Sequence, residues 1–282
     1  MVIFGSIGIF VRSIPLQSSL VALVRAVVGV LFLLAVLLLK RKPISWISVR
    51  KNLLFLCLSG IAIGFNWILL FESYRYTSVA VSTLCYYVAP IIVIIASPFV
   101  LKERLTFKKI LCVLLSLAGV FCISGIGTQS LPSSSYIGIF LGLGAAVLYA
   151  SVMLMNKRLS GIGAFDKTIL QLAVAASVMI PYNILTWEPI SASLTAETVV
   201  LLLTVGAVHT GLAYYLYFSS MEHLSAQTIA IASYIDPVVA VIASVALLQE
   251  PFTWLTGLGS ILIIGAAALS EVPLCRVGRN KK

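Results

Sequence analysis

Charge is what this chain of 282 residues has least of. Only 10% of its residues are charged and only 9 are Asp or Glu, against about a quarter charged in ordinary globular domains. Water would not solvate such a surface, and no polar stretch is long enough to fold alone, so a separate soluble domain is excluded. Histidine is scarce as well, with 2 in the chain and neither in an HExxH-like spacing. The 5 cysteines, Cys57, Cys85, Cys112, Cys122 and Cys275, contain no CxxC pair, and four of them lie in apolar runs. They read as small hydrophobes, not as metal ligands or disulfide partners. No phosphate-binding glycine loop is present, which excludes ATP drive within the chain. No nucleophile stands beside a base, no metal site is spelled out and no cofactor motif occurs. The N-terminus lacks the positive region and cleavage site of a secretory signal.

What is present is apolar sequence, 61% of the total. A membrane-spanning helix needs about 20 mostly apolar residues. Polar punctuation divides the chain into ten runs, near 1–13, 19–39, 52–71, 77–100, 106–125, 136–156, 166–186, 197–218, 225–248 and 253–270. The first would cover about 18–20 Å of a core about 30 Å thick, which leads us to expect a native start upstream of Met1. The net charge of +10 is distributed by topology. Lys40, Arg41, Lys42, Arg50, Lys51, Lys102, Arg104, Lys108, Lys109, Lys157, Arg158, Lys167, Arg276, Arg279, Lys281 and Lys282 fall on one side of ten alternating spans, and Arg12 and Arg75 on the other. The positive-inside rule puts both termini in the cytoplasm. That distribution explains the basicity without nucleic acid.

The chain also repeats itself. "YYVAPIIVIIASPFVLKERLT" (86–106) lies over "SYIDPVVAVIASVALLQEPFT" (233–253) without a gap, matching Tyr87 with Tyr234, Pro90 with Pro237 and Glu103 with Glu250. Over 71–106 and 218–253 roughly a third of positions agree. Five helices separate the copies, so the second inserts with opposite orientation, a common transporter plan. This predicts an all-α membrane protein of ten helices in two inverted five-helix repeats, 1–130 and 131–275, with a basic tail over 276–282. Pro90 and Pro237 withhold an N–H near mid-span and free the carbonyls of Tyr86 and Ser233. Either they are packing kinks or, being paired, they are hinges.

With these residues in view the chain resembles the drug/metabolite transporter superfamily, in its EamA-type branch. "YTSVA", the prolines and the "LKERLT" and "LLQEPFT" elements carry the likeness, and "FGSIGIFVRS" is similar to the family's first helix without its opening turns. Many members have Trp-Gly where this chain has Phe4-Gly5. The resemblance implies ten helices in inverted halves, a bacterial inner-membrane location and, often, export of amino acids or related metabolites.

Polar groups inside apolar runs are costly and point to function. Arg25, about two turns into its span, would hold a substrate carboxylate, or pair with Glu72 and snorkel to the interface. Asp236, at the centre of its span beside Pro237 and on one face with Ser233 and Ala240, suggests a proton or cation site; its alternative is a neutral cap for a freed carbonyl. His209 is either a relay partner of Asp236 or a satisfied core histidine. Thr210, Tyr214 and Tyr217 share a face at i, i+4 and i+7. With Tyr86, Tyr87 and Tyr234 these tyrosines would line an amphipathic cavity, or else simply pack. Asn66 and Trp67 are ambiguous in the same way. Gly60 and Gly64, and Gly138 and Gly142, read as helix contacts. Glu103 and Glu250 read as structural loop residues, and Glu222 and His223 as solvated ones. The sequence thus predicts a secondary transporter of small metabolites in the cytoplasmic membrane, an exporter of amino acids or related amphipathic compounds. The alternative is a facilitator or importer of another metabolite, and a membrane-embedded enzyme is disfavoured.

Overall fold

The structure is a computed structural model that describes residues 1–41, 43–77, 79–124, 135–187, 195–248 and 253–271. These residues form helices and no strand. In hydrocarbon every backbone N–H and C=O needs an internal partner, and an apolar run meets that need as a helix. The order is α1 (Val2–Arg12), α2 (Ser18–Leu39), α3 (Trp46–Tyr76), α4 (Val79–Tyr86), α5 (Ala89–Leu101), α6 (Phe107–Ser124), α7 (Ser135–Arg158), α8 (Ala164–Leu185) and α9 (Ala196–Thr204). A π-helical turn (Val205–Leu212) then leads into α10 (Ala213–Ser220), α11 (Ala226–Ala232), α12 (Ile235–Leu248) and α13 (Trp254–Glu271). Among the described residues six helical stretches are long and apolar enough to cross a membrane: Ser18–Leu39, Trp46–Tyr76, Tyr136–Arg158, Ala164–Leu185, Ala196–Ser220 and Ala226–Leu247. Leu31, Phe99, Phe140, Ile184 and Leu185 stand exposed around the outside of the bundle, a surface that only lipid would cover without cost. The 126–134 segment, Glu250, Cys275 and the basic tail lie outside the described residues.

Cross-links sort the loops onto two ends. At one end Ser45 N–H donates to Asp166, Asn52 to the Ser160 carbonyl, Arg158 to the Val100 carbonyl and Lys108 to the Ser270 carbonyl. Nearly every described cation gathers here, and we call it the basic end. At the other end Gln17 reaches the Thr186 carbonyl, Asn183 the Ser19 carbonyl and Tyr182 the Glu72 carboxylate. α3 runs 31 residues, well past the expected 52–71 at both ends. Arg50 and Lys51 fall inside its first turns, where long cationic side chains are good helix formers and carry the helix out of the apolar layer. Glu222 is half-paired with Lys167, whose ammonium also donates to the Phe218 carbonyl.

Both proline-bearing runs are interrupted, each just ahead of its proline. α4 ends at Tyr86 and α5 begins at Ala89, while α11 ends at Ala232 and α12 begins at Ile235. Each proline lacks an N–H and its ring crowds the carbonyl four residues back, so the helix parts one turn ahead of it, while Ala89 and Asp236 already belong to the helix that follows. Two carbonyls at the breaks, those of Ser233 and Tyr87, have partners. Asp236 N–H bonds the Ser233 carbonyl at 3.2 Å, one residue tighter than an α-turn. Ile91 N–H turns to Val88, and the Tyr87 carbonyl instead accepts the Tyr234 hydroxyl at 2.8 Å. Equivalent tyrosines of the two copies thus tie one break to the other. The expected bare carbonyl at Ser233 is therefore occupied by the turn itself.

Close helix contacts occur where the glycines predict them. Gly60 and Gly64 meet Val174 and Val178 of α8, and Gly138 and Gly142 meet Thr77 and the Ser82–Cys85 turn of α4. α3 packs on α7 and α8, α2 on α8 and the π turn, α1 on α12, α5 on α7 and α6 on α13.

Candidate functional site

A cavity of about 670 Å³ opens between α1, α2, α3, the two helix breaks, α7 and the π turn. It runs from Ser233 and Asp236 at mid-bundle to Val11, Ser18, Leu70 and Tyr74 at the end opposite the basic loops. Its walls are aromatic. Tyr86 stacks on Tyr149 with centroids 5.2 Å apart, and the Tyr149 and Tyr217 hydroxyls lie 3.0 Å from each other. Phe4 stands edge-on to Tyr214 and Tyr217, and Trp67 edge-on to Tyr214. Such edge-to-face sets hold their rings in fixed orientations.

Against these walls stand a basic and an acidic side chain. The Arg25 guanidinium lies 4.4 Å from the centre of the Trp67 ring. Glu72 is engaged elsewhere, with Arg75 at 3.3 Å and with the Tyr182 hydroxyl. The expected alternative partnership of Arg25 with Glu72 therefore gives way to a cation–π contact. Asp236 reaches the cavity from the first turn of α12. Among the described residues, Arg25 Nε and Asp236 Oδ1 are buried polar atoms with no protein partner. Buried groups of this kind normally find one. Two of them on one cavity are a means of holding a polar ligand.

Arg25, Trp67, Tyr86, Tyr87, His209, Tyr214, Tyr217 and Asp236 all line this cavity. Asn66 stands behind the wall. Its amide donates to the Ala145 carbonyl at 2.6 Å and its oxygen accepts the Tyr86 hydroxyl at 3.5 Å, so it orients Tyr86 and joins α3 to α7. Tyr234 is fully buried and spends its hydroxyl on Tyr87. Pro90 and Pro237 are buried at the breaks. His209 bonds Ser6 of α1 at 3.2 Å and packs on Phe10. α1 packs against both α12 and the π turn, and occupies the place where a direct His209–Asp236 contact was expected.

The π turn explains another departure. It adds one residue to a helical turn and rotates the residues beyond it. His209 consequently shares the cavity with Tyr214 and Tyr217, whereas Thr210 bonds the Val205 carbonyl five residues back. Tyr149, Tyr74 and Phe4 also line the cavity, and the sequence alone does not single them out as site residues. Tyr149 has only apolar residues at i−4, i−3, i+3 and i+4 of α7, so nothing within a turn marks it. Phe4 is visible in the sequence only as the residue before Gly5.

Gly5 sets how closely α1 approaches this site. A Cβ there would lie 2.5 Å from the Asp236 carbonyl oxygen and 2.7 Å from Val239 Cβ. Gly5→Ala is expected to push α1 off α12 and cost about 1–3 kcal/mol, read as a lowered thermal unfolding midpoint in detergent. Gly8→Ala is the control, since its Cβ would meet nothing within 4 Å; an equal loss in both variants would refute the contact.

A model of the EamA-like transporter family matches the chain twice, over residues 1–125 and 136–271. The chain belongs to the EamA-like transporter family. It is 30% identical over 276 residues to the uncharacterized transporter YxxF of Bacillus subtilis (strain 168), covering 96% of this chain and 87% of that one. An uncharacterized transporter of Clostridium kluyveri is 24% identical over 253 residues, covering 84% of this chain and 80% of the relative. A solved crystal structure superposes with a TM-score of 0.81 at 18% identity, over 95% of this chain and 93% of that chain, which shows that the fold is shared. Family, relatives and apolar helices together identify a multi-pass membrane transporter. The resemblance to the drug/metabolite transporters holds.

Proposed function

We propose that the protein is a secondary transporter that exports amino acids or related small zwitterions across the cytoplasmic membrane, with ten spans in two inverted repeats. The observation that carries the substrate class is the cavity itself. Arg25 offers a carboxylate partner, Asp236 an acidic site for the coupling ion, and the aromatic walls between them suit an apolar side chain. Ligand sites are built in this way, largely apolar with a few convergent polar groups.

The repeat reading is supported by matched packing. If each span has its counterpart five spans on, α3 against α7 answers to the π turn against α1, α3 against α8 answers to the π turn against α2, and α1 against α12 answers to α7 against α4 and α5. The two stretches matched by the family model fall on either side of residue 130. The gathering of cations at one end supports placing that end, and both termini, in the cytoplasm. The cavity then faces outward, where an exporter releases its cargo. Coupling to a proton or cation is assigned to Asp236.

The test is counterflow in proteoliposomes with a panel of labelled amino acids, their amides and unrelated sugars and nucleosides. Zwitterionic amino acids are expected to exchange well above empty liposomes. Flux confined to the sugars or nucleosides would replace the substrate class, and chemical conversion of a panel member without flux would replace transport.

A further inference from the structure

The basic end is closed by a set of bonds that join the two halves of the chain. Glu103, just beyond α5, accepts Ala226 N–H at 2.8 Å and Gln227 N–H at 3.4 Å, the first amides of α11. Lys109 of α6 donates to Ser225 Oγ at 3.3 Å, and Gln227 Nε2 donates to Ser97 Oγ at 2.6 Å. Arg158 of α7 reaches back to the Val100 carbonyl at 2.8 Å. Ser97 and Gln227 are fully buried.

Local geometry aims Glu103 at this target. Lys102 adopts a left-handed conformation (φ 58°), unusual for a residue with a side chain. Its N–H and that of Glu103 both return to the Ser97 carbonyl. This closes α5 with a tight C-terminal motif and turns the next residue back over the bundle. A carboxylate at a helix N-terminus gains two charge-assisted bonds and a favourable dipole.

What lies above the bonded turn gives it a function. α11 runs from Ala226 to Ala232, and its other end is the break at Ser233 and Tyr234, where Ser233 lines the floor of the cavity. Six residues of helix, about 9 Å, separate the Glu103 bonds from that floor. α11 is thus a short rod, jointed at the cavity and pinned at the basic end. α11 cannot swing away from α5 at the basic end while these bonds hold it.

We propose that Glu103 is the latch of the basic-end gate, and that release of α11 from its carboxylate opens the cavity to that side. This deepens the transport reading and rests on it. The experiment needs no substrate, so the two can fail separately. Gly8 lines the cavity and has open space where a side chain would go. In a background with the native cysteines replaced by serine, Gly8→Cys reports access to an impermeant maleimide in membrane vesicles of either orientation. With Glu103 intact, labelling is expected mainly from the end opposite the basic loops. Glu103→Ala is expected to raise labelling from the basic end about tenfold or more and to lower it from the opposite end. Glu103→Gln, which keeps an acceptor oxygen, is expected to fall between and serves alone if the alanine variant does not reach the membrane. Basic-end labelling unchanged in both, or unchanged in the glutamine variant where that is the one obtained, would overturn the latch and leave Glu103 a loop fastening. A rise at both ends would overturn it too, since that reports a loosened fold and not a shifted gate.

Discussion

Asp236→Asn is expected to abolish accumulation of substrate against a gradient while leaving exchange at equal concentrations intact. Asparagine keeps the shape of the side chain, so the turn in which Asp236 N–H bonds Ser233 survives. It removes the ionisable group, whose Oδ1 faces no protein partner among the described residues. The charged or titratable groups sharing the cavity are Arg25, His209 and the tyrosines of α3, the α4 break, α7 and α10. Asp236 is the only carboxylate among them, and so the natural place for a cation or proton to enter. Its backbone belongs to the break of α11 and α12, so a change of charge acts where the helix bends. A gradient biases a two-state element only through different interactions in the two states, and a site on the joint supplies that difference. The measurement is proteoliposome flux with and without an imposed proton or sodium gradient. Wild-type accumulation in the variant would reduce Asp236 to a cap for the broken helix. Loss of exchange as well would assign it to the substrate's ammonium group instead of the coupling ion.

The residues that set this up differ in how far the sequence announces them. Asp236 and Arg25 stand out because ionised groups are expensive in apolar sequence, and both line the cavity. The breaks were legible because proline acts locally, and the repeat doubled the signal at Pro90 and Pro237. The π turn was not legible. It depends on how Gly206 and Gly211 let α2 approach, with a Cβ on Gly206 falling 2.4 Å from Val28 Cβ, and no spacing in one strand of sequence encodes a neighbour's approach. His209 therefore drew its meaning from a helix face that the π turn rotates. Its partnership with Ser6 depends on α1 passing between the π turn and α12, which chain order alone would place apart. Glu103 shows the same limit. It reads as a loop residue because its contacts lie 123 and 124 positions away. Its equivalence to Glu250 was visible, but what it touches was not.

Arg25→Ala is expected to weaken carboxylate-bearing substrates by about 10- to 150-fold, the equivalent of losing about 1.5–3 kcal/mol from a hydrogen bond to a charged group. The guanidinium stands over the Trp67 ring and is not neutralised by Glu72, which is committed to Arg75 and Tyr182. A planar fork fixed in this way presents parallel donors that match a carboxylate. Arg25→Lys keeps the charge but loses the fork and much of the stacking, so it is expected to restore only part of the affinity. The decisive comparison is between an amino acid and its amide, as competitors of counterflow in wild type and in Arg25→Ala. If Arg25 binds the carboxylate, wild type prefers the acid strongly and the variant treats the two nearly alike, since the coupling between residue and ligand group is then gone. If Arg25 only packs against Trp67, truncation weakens acid and amide by the same factor and the preference survives. That second outcome would leave the cavity walls as described and remove the carboxylate from the proposed substrate.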